Sequence, residues 1–166
     1  MISEKDSAAV EQYLALTGDL LKNELVEGMK QYNHHGTIST HFHSVYVSFT
    51  VLKMCNRLGK EPREIVRASL LHDFYLYDWH TEKHEEMHAW YHPKAAVANI
   101  REHIGELTAE QEDMILAHMW PLHLMPPKTL GGWILTAADK HCATEDIMGK
   151  SGRFDEIYEE INKRLK

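Results

Sequence analysis

The chain has few of the residues that build several common kinds of site. It has only two cysteines, Cys55 and Cys142, so it offers neither a disulfide framework nor a Cys-x-x-Cys pair. Both lie in apolar, helix-like segments, and we interpret them as buried free thiols in a reducing compartment. It also has no Gly-x-Ser-x-Gly elbow and no Gly-x-x-x-x-Gly-Lys phosphate loop, which argues against a lipase-type hydrolase or an ATP-driven motor.

Long apolar runs and an excess of positive charge are also missing. No stretch approaches the roughly 18 uninterrupted apolar residues of a membrane span, and the N-terminal residues 1–6 are too polar for a signal core. The 18 Lys and Arg against 25 Asp and Glu give a net charge of −7, whereas a general nucleic-acid binder needs a cationic surface. We therefore expect a cytoplasmic protein without a membrane or nucleic-acid partner. A small phosphorylated substrate is still compatible with this charge, because bound cations can invert a local potential.

Apolar periodicity predicts an all-α fold of about six to eight helices in one domain over residues 1–166. No segment alternates with a period of two, so we expect no sheet beyond a trivial one. Pro62 opens a helix whose inner face includes His72 and Leu76, and Pro93 opens another with His92 beside its N-cap. The remaining predicted helices run over about Glu4–Lys30, Ser39–Gly59, Thr108–Trp120, Leu130–Met148 and Phe154–Leu165.

Histidine, in contrast, is abundant, with 13 residues in 166. His43 lies on the predicted inner face of its helix, and His72-Asp73 follows the apolar run 65–71. Asp139 follows another apolar run, where an unpaired carboxylate would be costly to bury. Such a carboxylate needs a cation, either a metal ion or the neighbouring Lys140.

These residues resemble the HD-domain superfamily of metal-dependent phosphohydrolases. His43, the pair His72-Asp73, and Asp139 in Ala-Ala-Asp-Lys follow that family's His…His-Asp…Asp order. His92 and His118 extend the pattern to the form associated with two metals. The resemblance covers about residues 40–147, and it implies a helical bundle to which the N-terminal and C-terminal helices are added.

The resemblance implies that His43, His72, Asp73 and Asp139 hold one metal ion. Asp73 would bridge to a second ion held by His92 and His118. Such nitrogen and oxygen ligands suit iron, manganese, nickel, cobalt or zinc, in one or two ions, rather than magnesium alone. A metal-activated hydroxide would then cleave a small phosphoester or nucleotide. Asp73 and Lys140 are the predicted catalytic residues, and Lys140 either contacts phosphate or orients Asp139.

Two other functions are compatible with the same residues. Some relatives with the two-metal pattern are di-iron oxygenases, and a non-catalytic metal-binding or ligand-binding module would use similar ligands with no open position. The oligomeric state is left open, a homodimer included.

The roles of several other residues also stay open at this stage. His123 is a further ligand candidate, and we expect His88 near the site and His80 and His84 in solvent. Arg67 either reaches a phosphate or forms a surface ion pair. Five aromatic residues near these ligands could stack a base, although ordinary packing is favoured. They are Tyr75, Tyr77, Trp79, Trp90 and Trp120. The other histidines are interpreted as surface residues or as neighbours of the ligands: His34, His35, His41, His103 and His141.

Overall fold

A computed structural model describes residues 2–166, apart from the side chain of residue 153. Within this range the chain forms eight α-helices, one short 3-10 helix and one two-stranded antiparallel hairpin, which confirms the all-α prediction. The helices are α1 Glu4–Leu21, α2 Glu24–Gly28, α3 Thr40–Leu58, α4 Arg63–Leu70, α5 His88–His103, α6 Ala109–Ala117, α7 Leu130–Ile147 and α8 Gly152–Leu165. The 3-10 helix is Met29–Gln31, and the hairpin strands are β1 Asn33–His35 and β2 Ile38–Ser39.

Local hydrogen bonds define several helix ends where the sequence predicts them. The Ser39 side chain accepts a hydrogen bond from the Phe42 backbone N–H at the start of α3, and Gly59 ends that helix with a φ of 64°. Thr108 and Gln111 form a reciprocal capping box at the start of α6. These ends depend on neighbours in sequence, which is why sequence patterns locate them.

The predicted first helix, about Glu4–Lys30, is wrong as a single helix. It ends at Leu21, and the Asn23 side chain then accepts hydrogen bonds from the backbone N–H groups of Leu25 and Val26. This cap begins α2 and offers the backbone an alternative to a continued helix. The break therefore occurs around Asn23.

The helix that carries Pro62 is shorter than predicted. It ends at Leu70, so His72 and Asp73 lie in the turn after α4 and not on its face. The His72 backbone N–H bonds to the Ser69 carbonyl three residues back, which tightens the last turn. Leu76, predicted on the same helical face, has a φ of 57° and belongs to the segment that leads away from the helix.

The helix around Pro93 begins earlier than predicted. It starts at His88, so Pro93 is internal and His92 lies within α5 rather than beside its N-cap. Pro93 lies beyond the first turn and has no N–H to donate to the Ala89 carbonyl, so the helix lacks one hydrogen bond near its start. The following helix ends at Ala117 rather than near Trp120, and His118 is its C-cap residue.

The apolar core forms around α3, which is buried over most of its length and packs against α4 and α7. Helices α6 and α7 also pack closely, since a Cβ on Gly131 would lie 2.9 Å from the Met114 sulfur. These contacts bring the end of α6 and the middle of α7 towards α3. No helix among residues 2–166 is both long and apolar enough to cross a membrane.

Candidate metal centre

The six residues predicted as metal ligands converge at one place, although they come from five different parts of the fold. All are buried, with exposed fractions between 0 and 6%. They are His43 on α3, His72 and Asp73 after α4, His92 on α5, His118 at the end of α6 and Asp139 on α7.

Asp73 lies in the middle of this group, and its two oxygens contact different histidines. Its Oδ2 lies 3.3 Å from His72 Nε2. Its Oδ1 lies 3.3 Å from His92 Nε2 and 3.6 Å from His118 Nε2. One carboxylate therefore contacts two separate sets of nitrogen donors.

The set on the Oδ2 side contains a second carboxylate. Asp139 Oδ1 lies 3.0 Å from His43 Nε2 and 3.5 Å from His72 Nε2. We name His43, His72 and Asp139 the carboxylate half of the centre, and His92 and His118 the imidazole half.

Four of these histidines are oriented by bonds from their outer ring nitrogens. The Nδ1–H groups of His72, His92 and His118 donate to the backbone carbonyls of Ser69, His88 and Ile115 at 2.7–2.8 Å. A carbonyl can only accept, so each Nδ1 carries its proton, and the lone pair that a ring offers to a metal ion lies on Nε2. His43 donates its Nδ1–H to Asp146 Oδ2 at 2.9 Å. All four Nε2 atoms therefore face the centre.

The inward-facing atoms fit a metal ion better than they fit each other. The Nε2 atoms of His92 and His118 are 3.0 Å apart, although both rings use Nδ1 as the donor to a carbonyl and have Nε2 free for a ligand. Two nitrogens that bind one ion at about 2.1 Å with a right angle between them are separated by about 3 Å. His72 Nε2 and Asp73 Oδ1 are buried without a hydrogen-bond partner. A cation between these atoms would satisfy all of them, and the residues present therefore fit a metal ion.

Electrostatics in the carboxylate half favour positive charge. Burial lowers the pKa of His72, but Asp73 and Asp139 outweigh this effect and raise the pKa to about 10. For His43, burial is likewise outweighed by hydrogen bonds to Asp139 and Asp146, and its pKa rises to about 8. Burial raises the pKa of both ligand carboxyls, yet the neighbouring histidines hold the pKa of Asp73 and of Asp139 well below the usual range.

The imidazole half behaves in the opposite way. Burial lowers the pKa of His118 to about 3, and the nearby His72 and His92 act in the same direction. Neutral imidazole is the form that binds metal. Near neutral pH, His118 is therefore in the neutral form that can bind a metal ion.

Asp146 is a functional residue that sequence reasoning missed. It is 8% exposed and lies two helical turns after Asp139 on α7, on the same side of the helix. A carboxylate that accepts a hydrogen bond from the Nδ1–H of a metal-binding histidine fixes the orientation of the ring and raises the basicity of Nε2. The seven-residue spacing from Asp139 was the signal that could have identified it.

Lys140 lies at the edge of the centre. Its Nζ donates to Asp139 Oδ2 and to the His118 carbonyl, each at 3.0 Å, so it links the two halves. This contact agrees with the predicted orienting role, and the phosphate contact stays a prediction. Lys140 also lines a cavity of about 230 Å³ that opens onto the centre, together with Asp73, His92, His118 and Asp139.

Among the remaining histidines near the centre, His84 differs from its predicted role. His88 lies beside His92, with ring centroids 4.6 Å apart, whereas His123 contacts Trp90 and does not reach the centre. His80 is exposed as expected, but His84 is not, because its ring stacks on Tyr91 at 3.8 Å.

The five histidines assigned to the surface or to the neighbourhood of the ligands divide into three groups. His34 and His35 line the cavity. His41 is buried and pairs with the Tyr158 hydroxyl at 2.7 Å, so a surface position for it is wrong. His103 and His141 are at the surface as expected.

The aromatic residues around the ligands mostly pack within the protein. Tyr75 and Tyr77 are buried, and the Trp79 ring contacts the rings of His80 and His88, with centroids 4.0 and 4.7 Å away. This favours the packing interpretation over a base-stacking wall. Arg67 lies away from the centre, where it pairs with Asp19 through two hydrogen bonds of 2.6 and 2.9 Å.

Comparisons of this chain with protein-family models, curated proteins and solved structures found no match. The geometry and the chemistry of the buried histidines and aspartates are the observations that point to a function. They define a group of side chains that could hold a metal ion.

Proposed function

We propose that this protein is a metal-dependent phosphohydrolase with a dinuclear centre, related to the HD-domain superfamily. The position of Asp73 carries the proposal, because its two oxygens face two different sets of histidine nitrogens. A carboxylate in that position is suited to bridge two ions. The order His43, His72-Asp73, His92, His118 and Asp139 along the chain also supports the superfamily assignment.

The two halves would hold one ion each. In the carboxylate half, the ion would have four donors, which are the ring nitrogens of His43 and His72 and one oxygen each from Asp139 and Asp73. In the imidazole half, His92 and His118 are joined by Asp73 Oδ1. Such donors suit iron, manganese, nickel, cobalt or zinc.

When bound, a metal pair of this kind supplies an acidified water and neutralises charge on a phosphoryl oxygen. The chain's own residues position the metal ligands and exclude bulk water from the centre. Asp73 and Asp139 are 2% and 6% exposed, so their charges act in a low-dielectric site. Asp146 holds His43, and the backbone carbonyls hold the other three rings.

Lys140 is suited to contact the substrate. An ammonium group has three N–H donors, and Lys140 uses two of them on Asp139 and on the His118 carbonyl. The third is available for a phosphoryl oxygen. Among the described residues that line the cavity, Lys140 is the one lysine or arginine. The cavity volume of about 230 Å³ favours a small phosphoester.

The first experiment counts metal ions in the purified protein by elemental analysis and then measures hydrolysis of a panel of small phosphoesters and nucleotides. We expect about two transition-metal ions per chain and hydrolysis that is lost on chelation and restored by added metal. Lys140→Ala should weaken hydrolysis without loss of metal, and Lys128→Ala on an exposed loop is the matched control.

Two results would overturn this proposal. Absence of bound metal, even after reconstitution with each of the five metals, would remove the centre. Iron with substrate-dependent oxygen consumption and no phosphoester hydrolysis would instead favour the oxygenase alternative.

A further inference from the structure

The hairpin β1–β2 brings another histidine to the metal centre. His34 on β1 has its Nδ1 3.5 Å from Asp73 Oδ2, the oxygen that faces the carboxylate half. Its ring stacks on His43, with centroids 3.9 Å apart and planes 21° apart. His34, His43 and Asp73 can each offer one ligand atom within 4.8 Å of the others. His34 therefore reaches the centre from a part of the chain outside the six predicted ligands.

The ring nitrogen that faces Asp73 has no other function in the fold. His34 Nδ1 is buried and has no hydrogen-bond partner. A buried polar atom without a partner carries a free-energy cost, and proteins retain few of them. A metal ion beside Asp73 would give this nitrogen a partner.

The hairpin that carries His34 is held in position on both sides. Asn33 pairs with Ser39 across the two strands, and Trp79 Nε1–H donates to the Asn33 carbonyl at 3.2 Å. The Thr40 backbone N–H bonds to the Tyr32 carbonyl at 2.8 Å, which joins the hairpin to the start of α3. The backbone on either side of His34 is therefore fixed relative to His43.

We propose that His34 is an additional protein ligand of the metal ion in the carboxylate half, through its Nδ1. This inference rests on the proposed dinuclear centre. Two groups of potential ligands share His43, one with His34 and Asp73 and the other with His72 and Asp139. If one ion binds to both groups, it would have five protein donors, whereas the ion in the imidazole half would have three. For six-coordinate ions, most open positions would then lie in the imidazole half. Substrate and exchangeable water are expected to bind there.

His35 provides a matched control on the same hairpin. It is the next residue and has the same side chain, but its ring centroid lies 6.4 Å from that of His43. It belongs to none of the described groups of side chains that could hold a metal. A substitution at His35 therefore changes the hairpin to a similar degree without removing a proposed ligand.

The test is a titration of the metal-free protein with Co²⁺, followed by its visible absorption and by elemental analysis. We expect the parent protein and His35→Ala to bind two Co²⁺ ions with the same spectrum. In His34→Ala the carboxylate-half ion should bind at least about tenfold more weakly, since loss of a supporting residue outside the ligand set already costs 10–100-fold. The Co²⁺ spectrum should also change, because the ion loses a nitrogen donor.

A second variant separates ligation from packing. His34→Phe keeps a ring that can stack on His43 but has no nitrogen, and we expect the same weakening and the same spectral change. If His34→Phe binds Co²⁺ as the parent does, His34 is a packing residue and the inference is wrong, while the dinuclear centre stands. If the parent protein itself binds no Co²⁺, the proposed function fails. This result differs from the one in which the parent binds Co²⁺ and His34→Phe binds it equally well.

Discussion

The two halves of the centre hold the same kind of side chain in opposite electrostatic environments. In the carboxylate half, neighbouring aspartates raise the pKa of His72 to about 10 and of His43 to about 8. In the imidazole half, burial and adjacent histidines lower the pKa of His118 to about 3. Asp73 and then Asp139 raise the pKa of His72, and Asp139 and Asp146, both on α7, raise the pKa of His43.

This contrast indicates different functions for the two halves. The carboxylate half is suited to a tightly bound cation, since Asp139 adds a second carboxylate beside Asp73 and Asp146 holds the His43 ring. The imidazole half has two imidazole nitrogens and no carboxylate besides the shared Asp73, and both of its histidines line the cavity. We therefore expect one tightly held ion and one ion that exchanges more readily and meets the substrate.

The largest expected effect comes from Asp73→Ala, which removes the residue common to both halves. Loss of the bridge should abolish binding of both ions and all hydrolysis, because three histidine nitrogens would lose their shared carboxylate. Elemental analysis after reconstitution measures this directly. Asp155→Ala, on the exposed side of α8, is the control and should keep both ions. Full metal content in Asp73→Ala would show that the bridging assignment is wrong.

Asp139→Asn should break the carboxylate half alone. The amide keeps the size of the side chain but loses the charge that faces His43 and His72, so the tightly held ion should be lost while the fold persists. One ion per chain, with unchanged helical circular dichroism, is the expected result. Two ions with unchanged affinity would assign Asp139 to structure.

The complementary variant is His92→Ala, which should break the imidazole half alone. It removes one of the two nitrogens beside Asp73 Oδ1, so the exchangeable ion should be lost and hydrolysis with it. The tightly held ion should stay. His103→Ala, at the exposed end of the same helix, is the matched control. Unchanged stoichiometry of two ions in His92→Ala would exclude it as a ligand.

The smallest expected effect comes from Asp146→Asn. Asp146 touches no proposed ion but accepts the Nδ1–H of His43, so its charge supports that ring as a donor. Loss of such an outer partner is expected to weaken binding of the carboxylate-half ion by about 10–100-fold. Competition with a coloured chelator measures the affinity. An equal weakening of both ions would contradict the assignment of Asp146 to the carboxylate half.

Sequence patterns identified much of the helical framework and the six converging residues. Ser39, Gly59 and the Thr108–Gln111 box define helix ends through bonds between near neighbours, so local sequence carries the information. The position of His72-Asp73 was wrong in detail, because α4 ends at Leu70 and the pair lies in a turn. A turn of this kind aims the two side chains in directions that a helical face would not allow.

Residues that act through distant partners were harder to identify. Asp146 is 103 residues from His43 in sequence, and its role depends on how α7 packs against α3. His34 lies in a short polar segment that resembles an ordinary surface turn. Only the pairing of β1 with β2 brings its ring against His43.

The amino-acid sequence by itself determined the all-α class, several of the helix ends and the presence of buried histidines and carboxylates that need a cation. These properties follow from apolar spacing, capping residues and the cost of burying charge, which act over a few residues. The tertiary structure decided which oxygen of Asp73 faces which histidines, that Asp146 supports His43, and that His34 reaches the centre. Each of these depends on distances of about 3 Å between atoms far apart in sequence, which only the packing of helices and hairpin sets.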